Sequence, residues 1–444
     1  MLRKICLMVT TGLCALGLSS VTTAQSDPYE PYRGQTLVVN FPAHPHYDAV
    51  MEILPEFTAQ TGIEVEVDQL PYLRMRERQT LELAQEEGEY DLIAYVVFSK
   101  ADYVYAGQLE NLARFFMNPR LVDPNYDAED LIDGYVYNIG FAGGERGYLA
   151  GKTGSLFGIP YGSETSILGY RTDIFEKHDL KVPETYEEML EIACLIPELE
   201  PGMGGLSSRA ASGHHASHAF LLHLAPLGGR IFDENWNPIM NSEEGVAAAE
   251  ALKQIVDCGP EGATSFGFGE ALGSFLNGDT AMFLDTTVVA GQINDPSRSS
   301  VVGNVDWALH PMGVRRGSQT GGFGIGIPSN AENKEAAFLL MQWLTSREGD
   351  KLVALAGGNP SRFSTHADPD VNAVFPHMAT FGEALQYADP DWRPIIPVWG
   401  QINADLGTTL SKVLTEDLDI QEALDGVAER TRVLMEDAGY YSWQ

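Results

Sequence analysis

Basic residues are scarce in this sequence. Its 444 residues include 28 lysines and arginines against 62 aspartates and glutamates, which gives a formal net charge of −34. A surface of this sign repels nucleic acid and anionic membranes, and it keeps a protein soluble in salt. We therefore expect no nucleic-acid partner.

Long apolar runs are lacking beyond the first residues. After residue 24, no stretch approaches the roughly 20 apolar residues that a membrane-spanning helix needs. At the beginning, Arg3 and Lys4 precede an apolar run over 5–18, and a small-residue cleavage pattern ends at Ala24. This arrangement predicts a secretory signal peptide at residues 1–24. Its removal takes away two basic residues, so the formal charge changes from −34 to −36. We expect a soluble protein that is exported to the periplasm.

Cysteine is rare as well. Only Cys194 and Cys258 follow the predicted signal peptide. In an oxidising compartment the two could form a disulfide, or they could be two buried thiols, because pairing depends on a geometry that the sequence does not supply. The signal peptide, rather than the cysteines, excludes cytosolic redox chemistry.

The chain is long enough for two domains, since the roughly 420 residues after the signal peptide exceed what one hydrophobic core usually holds. Its first part alternates predicted strands at 36–41, 63–67 and 91–98 with predicted helices at 48–61 and 74–85. A β-α-β-α-β order with short connections predicts a parallel sheet that has helices on both faces.

Ligands of such sheets bind beyond the carboxyl ends of the strands. The expected cleft therefore includes the loop after the first strand, which carries His44 and His46. It also includes the end of the third strand, which carries Tyr95 and Ser99.

The middle of the chain predicts a second platform with a polar rim. An apolar strand at 156–159 and a second extended run at 165–170 flank a polar bend that carries Glu164. Thr185, with Glu188 three residues later, forms a capping box at the start of a helix. No nucleophile and base are paired in this stretch, so it does not indicate an enzyme.

The strings G-x-x-x-G-I-P, Y-R-x-D-x-F and V-P-x-T-x-x-E follow one another between residues 154 and 188. In order and residue type they resemble the family 1 extracellular solute-binding proteins, the periplasmic sugar receptors of ABC importers. The resemblance implies an α/β fold with two lobes, each a doubly wound sheet flanked by helices, and a ligand cleft at the hinge. It also implies membrane permease subunits as partners, no cofactor, and a monomeric receptor.

The resemblance divides the chain between the two lobes. Residues 31–137 together with 292–348 are predicted to form lobe one. Residues 138–291 together with 349–444 are predicted to form lobe two. Repeated crossings between lobes are what a hinged receptor needs.

Candidate ligand-binding residues follow from these positions and from the chemistry of sugar sites. Aromatic faces cover the apolar C–H patches of a sugar, and planar polar groups fork onto adjacent hydroxyls. The predicted site consists of His44, His46, Tyr95, Ser99, Glu164, His215, Asp285, Thr286, Gly322, Arg362, Trp399 and Asn403. No catalytic residue and no metal ligand is assigned, and the expected ligand is a neutral carbohydrate or polyol.

Two alternatives stay open. An exported glycosidase or lyase needs two carboxylates roughly 5–10 Å apart, for which Glu164 and Asp285 are the candidates. A receptor for a non-sugar solute, such as a peptide, a polyamine or a metal ion, is the other. The histidines at 214, 215 and 218 suggest a metal ligand set, but the H-H-x-x-H spacing lacks the glutamate of H-E-x-x-H.

Overall fold

The structure is a computed structural model that describes residues 27–143, 154–416 and 418–441. The predicted signal peptide at 1–24 lies outside the described residues. Among the described residues, no helix is long and apolar enough to cross a membrane.

The described strands are numbered in chain order: β1 Thr36–Pro42, β2 Glu64–Leu70, β3 Leu92–Val96, β4 Phe141–Ala142, β5 Ser155–Leu156, β6 Ile159–Glu164, β7 Ser166–Arg171, β8 Gly204–Ser207, β9 Thr280–Thr286, β10 Val305–Leu309 and β11 Gly321–Gly326.

The described helices are α1 Pro45–Thr61, α2 Tyr72–Glu82, α3 Lys100–Tyr105, α4 Ala113–Phe116, α5 Asp133–Tyr135, α6 Thr172–Lys177, α7 Tyr186–Leu199, α8 His214–Leu224, α9 Glu243–Asp257, α10 Phe268–Asn277, α11 Ala290–Ile293, α12 Lys334–Leu344, α13 Arg347–Leu355, α14 Phe363–His366, α15 Pro369–Val374, α16 Met378–Leu385, α17 Trp399–Thr415 and α18 Ile420–Asp437.

The first sheet has the strand order β2-β1-β3-β11-β6. Strand β1 pairs in parallel with both β2 and β3, as the β-α-β-α-β pattern predicts. Strand β11 then runs antiparallel to β3 and to β6. Helix α12 is buried from Ala336 to Leu344 in the core beside this sheet, which explains its mostly apolar sequence.

The second sheet has the order β10-β7-β9-β8. Its central strands β7 and β9 are antiparallel, and β8 pairs in parallel with β9. Helices α8, α9, α17 and α18 pack on one another beside this sheet. Two sheets with their own helices form the two-lobed α/β fold that the sequence predicts.

Two strands lie in a different sheet from the one predicted. The runs at 156–159 and 165–170 were expected to form one strand pair of lobe two. Instead Leu156 ends β5, which pairs with β4, and Ile159 begins β6. Strand β6 pairs with β11 of the first sheet, whereas β7 pairs with β9. Strand β10, expected in lobe one, pairs with β7 in the second sheet. Local periodicity predicts that a strand exists but not which strand it pairs with.

The chain passes between the sheets through two segments that contact each other. Thr165 is the residue between β6 and β7, and residues 310–320 join β10 to β11. The Thr165 hydroxyl donates a hydrogen bond to Ser318 Oγ at 2.7 Å. The Tyr135 hydroxyl donates to the carbonyl of Gln319 at 3.2 Å. The Thr165 bond joins the two connections directly, and Tyr135 of α5 contacts the second of them.

The open question of the two cysteines is resolved by the fold. Cys194 in α7 and Cys258 at the end of α9 form a disulfide, with their Cα atoms 4.9 Å apart. Helix α7 begins with the predicted capping box between Thr185 and Glu188. The disulfide therefore joins two helices that cover the second sheet.

Candidate functional site

A cavity of about 610 Å³ lies where the strand ends of the two sheets meet. Its volume is within the range of small-molecule sites, roughly 300–1,000 Å³. Apolar side chains form much of its wall: Val96, Val97, Phe98, Phe268, Val288, Phe323, Trp392, Ile396, Pro397 and Trp399. Polar side chains complete it: His44, Tyr72, Arg76, Asp102, Glu164, Arg209, His214, His218, Thr286, Gln319, Arg393 and Asn403.

Glu164, the last residue of β6, lines the cavity and is the centre of a group of polar contacts. Its Oε1 accepts a hydrogen bond from His44 Nε2 at 3.2 Å, and its Oε2 accepts one from the Thr286 hydroxyl at 2.7 Å. His44 Nδ1 accepts from the backbone N–H of His46, so Nε2 is the ring nitrogen that carries the proton. Each carboxylate oxygen retains a further acceptor direction for a ligand hydroxyl.

The carboxyl group of Glu164 is ionised in this environment. Burial alone would raise its pKa, but the hydrogen bonds from His44 and Thr286 and the charge of Arg209 outweigh burial and bring the pKa below its ordinary value. An ionised carboxylate is a stronger hydrogen-bond acceptor than a neutral group.

Asp285 forms a buried ion pair behind the cavity wall. Arg209 Nε and Nη2 donate to its two carboxylate oxygens at 2.7 Å and 2.6 Å. Burial opposes ionisation, but the charge of Arg209 holds the pKa of Asp285 well below its usual range. The guanidinium of Arg209 also lies 4.6 Å from the ring centroid of Phe268, and both side chains line the cavity. The structure thus places Arg209 at the wall, where Asp285 was expected.

A second guanidinium of the cavity wall lies among aromatic rings. Arg393 donates from Nη2 to His218 Nδ1 at 3.3 Å. Its guanidinium carbon lies 4.4 Å from the ring centroid of Trp392 and 5.5 Å from that of Phe98. This part of the wall therefore combines a cation with apolar surface.

Helix α17 presents two predicted residues to the cavity. Trp399 is its first residue and Asn403 lies one turn later, and both line the wall, as their spacing predicts. Trp399 is only 4% exposed, so it also belongs to the core of its lobe. Asn403 Nδ2 lies 3.4 Å from Nδ1 of His214, which is four residues before His218 on α8.

Gly322 lines the cavity as predicted and has a conformation that requires glycine. Its φ is +90°, and a Cβ atom built on it would lie 2.1 Å from the carbonyl oxygen of Gly162. Strand β11 therefore approaches β6 closely at this point, with no room for a side chain at residue 322. Six predicted residues thus meet at the cavity: His44, Glu164, Thr286, Gly322, Trp399 and Asn403.

Three residues expected at the first sheet's edge lie in its core instead. Tyr95 is fully buried and donates its hydroxyl to the carbonyl of Ile139 at 3.0 Å. Its neighbour Val96 reaches the cavity, because successive strand residues point to opposite faces. Ser99 is 2% exposed and His46 is 1% exposed. The His46 ring packs edge-on against the Tyr161 ring, with the two ring centroids 4.6 Å apart. Their expected placement in the cleft is wrong.

Arg362 and His215 are also placed away from the cavity wall. Arg362 is fully buried, and its guanidinium donates to the backbone carbonyls of Thr345, Asp127 and Tyr126 at 2.7–2.8 Å. It ties the end of helix α12 to the 126–130 segment, which is a structural role. His215 is half-buried and lies outside the wall, while His214 and His218 of the same helix face it.

The sequence did not predict two arginines of the cavity, Arg209 and Arg393. Arg209 follows β8, and Asp285 lies near the end of β9, so pairing of these two strands brings the charges together. Adjacent parallel strands end at the same edge, which is a usable signal once their order is known. Arg393 lies in the segment between α16 and α17, which has no periodicity from which its position could be inferred.

The histidines do not form a metal site with neighbouring carboxylates or thiols. Among residues 27–143, 154–416 and 418–441, no group of three or more His, Cys, Asp or Glu side chains is arranged to hold a metal ion. Burial lowers the pKa of His218 to about 4, and the charge of Arg209 adds to this effect. His218 is therefore a neutral hydrogen-bonding side chain at pH 7.

Comparison with known proteins gives a consistent family. The family model described as bacterial extracellular solute-binding protein matches residues 43–351. The chain is also 28% identical over 389 residues to the mannitol-binding protein of Pseudomonas aeruginosa. That alignment covers 82% of this chain and 85% of its relative.

Solved structures share the fold over most of the chain. A solute-binding protein of an ABC transporter from Agrobacterium radiobacter K84, in complex with ribitol, is 25% identical with a TM-score of 0.77; the match covers 90% of this chain and 99% of that one. A similar protein from Agrobacterium vitis S4, with bound D-mannitol, is 27% identical with a TM-score of 0.74; here the coverage is 91% and 99%. Since the family model spans well over half of the sequence, this protein belongs to the family of bacterial extracellular solute-binding proteins.

Proposed function

We propose that the protein captures a polyol or a small carbohydrate in the cavity and delivers it to the permease subunits of an ABC importer. The observation that carries this proposal is the hydrogen-bonded carboxylate of Glu164 in a cavity that is also lined by Trp399. An ionised acceptor and an indole ring in one cavity match the alternating hydroxyls and C–H groups of a polyol. The relatives that bind mannitol or ribitol support the same class of ligand.

The position of the cavity explains how binding would be signalled. Its wall includes His44 and Phe98 from the side of the first sheet, and Thr286 and Trp399 from the side of the second. A ligand that touches both sides favours the closed arrangement of a hinged protein. A permease can then distinguish the loaded receptor from the empty one.

The geometry disfavours the enzyme alternative. A glycosidase needs one carboxylic acid whose pKa is raised so that it can donate a proton. Glu164 has a lowered pKa, and Asp285 is held ionised by Arg209 behind the wall. Neither member of the candidate pair is suited to act as the acid, so we assign no catalytic residue.

Export follows from the predicted signal peptide and from the family. We propose that residues 1–24 are removed and that the mature protein acts in the periplasm as a monomer. Expression with the native leader, followed by fractionation and mass measurement of the periplasmic protein, tests both the cleavage and the oligomeric state.

A ligand screen tests the proposed function. Purified protein is heated with D-mannitol, ribitol, erythritol or maltose, and hits are titrated by calorimetry. A ligand at 100 times its dissociation constant stabilises the folded state by about 2.7 kcal/mol, so a bound polyol raises the melting temperature measurably. A parallel product assay must detect no conversion. If amino acids or metal ions raise the melting temperature and no polyol or sugar does, the proposal is wrong.

A further inference from the structure

Arg393 carries a charge that the protein itself does not neutralise. The side chain is 5% exposed and lines the cavity. Within the described part of the chain it forms no ion pair with a carboxylate, and its Nε has no hydrogen-bond partner. Its contacts are neutral groups, namely one nitrogen of His218 and the rings of Trp392 and Phe98.

The other buried arginines of the described residues have carboxylate partners. Arg171, Arg209 and Arg362 each form an ion pair with an aspartate. Removing a charge from water is costly unless a partner replaces the lost hydration. The burial of Arg393, together with the nearby charge of Arg209, lowers its pKa to about 9, so it remains a cation at pH 7.

A second cation contacts the same aromatic ring. The guanidinium of Arg76, on helix α2, lies 5.5 Å from the centroid of Phe98, the same distance as that of Arg393. Arg76 forms no ion pair with a carboxylate of the described residues either, although Asp102 is a neighbour on the cavity wall. Two guanidiniums from different sides of the cleft thus approach one ring, and neither is paired with a carboxylate of the described residues.

We propose that the preferred ligand is a polyol that ends in a carboxylate, a sugar acid of the aldonate type, whose carboxylate is bound by Arg393 and Arg76. The inference rests on the proposed function, because the hydroxyl groups of the same ligand bind at Glu164. It departs from the neutral ligand that the sequence predicts. A planar guanidinium matches a carboxylate through two parallel hydrogen bonds.

A carboxylate fits this cavity better than a phosphate does. Glu164 and Asp102 line the same space, so a second negative charge on the ligand meets more repulsion than one charge does. The guanidinium of Arg393 is planar, and a single carboxylate accepts two of its N–H groups at once through its two oxygens. A neutral polyol offers hydroxyl acceptors to this guanidinium but leaves its charge unbalanced.

Matched ligands of equal chain length test the inference by calorimetry. Wild-type protein is titrated with D-mannonate, D-mannitol and D-mannitol 1-phosphate at pH 7. We expect D-mannonate to bind roughly ten- to a hundredfold more tightly than D-mannitol, the range of one charge-assisted contact. In Arg393→Gln the ratio of the two affinities should fall towards one.

Arg316→Gln is the control variant. Arg316 also lies over an aromatic ring, at 5.8 Å from the centroid of Tyr387, but outside the cavity. It should keep the wild-type preference for the acid. If Arg393→Gln does not fold, Arg76→Gln on the half-buried face of α2 replaces it, with the same expected fall in the ratio.

The outcomes separate this inference from the proposed function. If D-mannitol binds as tightly as D-mannonate to the wild type, the carboxylate site is wrong and the polyol receptor stands. A preference for D-mannitol 1-phosphate over D-mannonate also overturns the carboxylate assignment. If none of the three ligands binds, and the polyols and sugars of the screen also fail, the proposed function and the inference both fall.

Discussion

Replacing Glu164 by glutamine is the most direct test of the hydroxyl-binding end of the cavity. The carboxylate accepts hydrogen bonds from His44 and Thr286 and lies at the junction of β6 with the second sheet. Glutamine keeps the shape and one acceptor oxygen. The Thr286 hydroxyl can reverse and accept from the new amide, while the remaining oxygen still accepts from His44. We therefore expect the melting temperature of the ligand-free protein to change little.

The effect on ligand affinity is larger. Hydrogen bonds to an ionised group contribute about 1.5–3 kcal/mol, against about 0.5–1.5 kcal/mol for neutral pairs. Loss of the charge and of one acceptor oxygen should weaken binding of D-mannitol or ribitol roughly ten- to a hundredfold, as measured by calorimetric titration. Neither protein should convert the ligand into a product.

The pH dependence follows from the same carboxylate. The pKa of Glu164 in the folded state is depressed. The contribution of its carboxylate to folding stability is therefore present above the unfolded-state pKa of about 4.3 and is lost only as the pH falls through the lower folded-state pKa. Wild-type affinity should therefore not depend on Glu164 between pH 6 and pH 8.

Glu200→Gln is the matched control for this variant. Glu200 also accepts a hydrogen bond from a histidine, His178 Nε2 at 2.5 Å, but far from the cavity lining. Its replacement should leave polyol affinity unchanged. Unaltered affinity in Glu164→Gln would refute the assignment of this carboxylate. Turnover by the wild type that disappears in the variant, with binding preserved, would instead establish an enzyme.

Three further predictions concern stability. Replacing Cys194 and Cys258 by serine opens a loop with a sequence separation of 64 residues, so chain entropy predicts a loss of about 4 kcal/mol in denaturant unfolding, with polyol affinity retained. Gly322→Ala should lower the unfolding free energy by more than the roughly 1–2 kcal/mol that a left-handed alanine costs, because its Cβ would clash with the Gly162 carbonyl. Gly303→Ala is the control, because Gly303 has φ +77° and open space around it. Its loss of unfolding free energy measures the backbone cost without a clash. Burial raises the pKa of Asp350 to about 6, so between about pH 4 and pH 6 the folded state binds more protons than the unfolded state. The folded state therefore loses stability as the pH rises through that window. Asp350→Asn should remove this pH dependence of the melting temperature, and an unchanged dependence would contradict the prediction.

The sequence predicted those parts of the fold that depend on local pattern. The apolar run of α12 and the capping box of α7 are found where periodicity and cap chemistry place them. The parallel arrangement of β1, β2 and β3 follows from alternating elements with short connections. The sheet membership of β6 and β10 was not predictable in this way, because it depends on partners far away in the chain.

About half of the predicted site residues lie at the cavity wall, and their positions in the strands explain which ones do. His44, Glu164, Thr286 and Gly322 are strand-end positions, which parallel and crossing strands bring together. Tyr95 was misplaced by one residue of strand register, since its neighbour Val96 reaches the cavity. Whether the six residues at the wall bind ligand stays a prediction that the titrations decide.

Two charged groups of the cavity keep unfilled hydrogen-bonding capacity. Glu164 accepts from His44 and Thr286 and keeps acceptor capacity, whereas Arg393 lies against aromatic rings and keeps donor capacity. Arg209, which also lines the cavity, is already neutralised by Asp285. A ligand with hydroxyls at one end and a carboxylate at the other can satisfy both Glu164 and Arg393 in one orientation only. A symmetric neutral polyol binds equally in either orientation and leaves the charge of Arg393 without a counter-ion. The same arrangement that would select an acid therefore also orients it, because reversing the ligand would place its carboxylate beside Glu164.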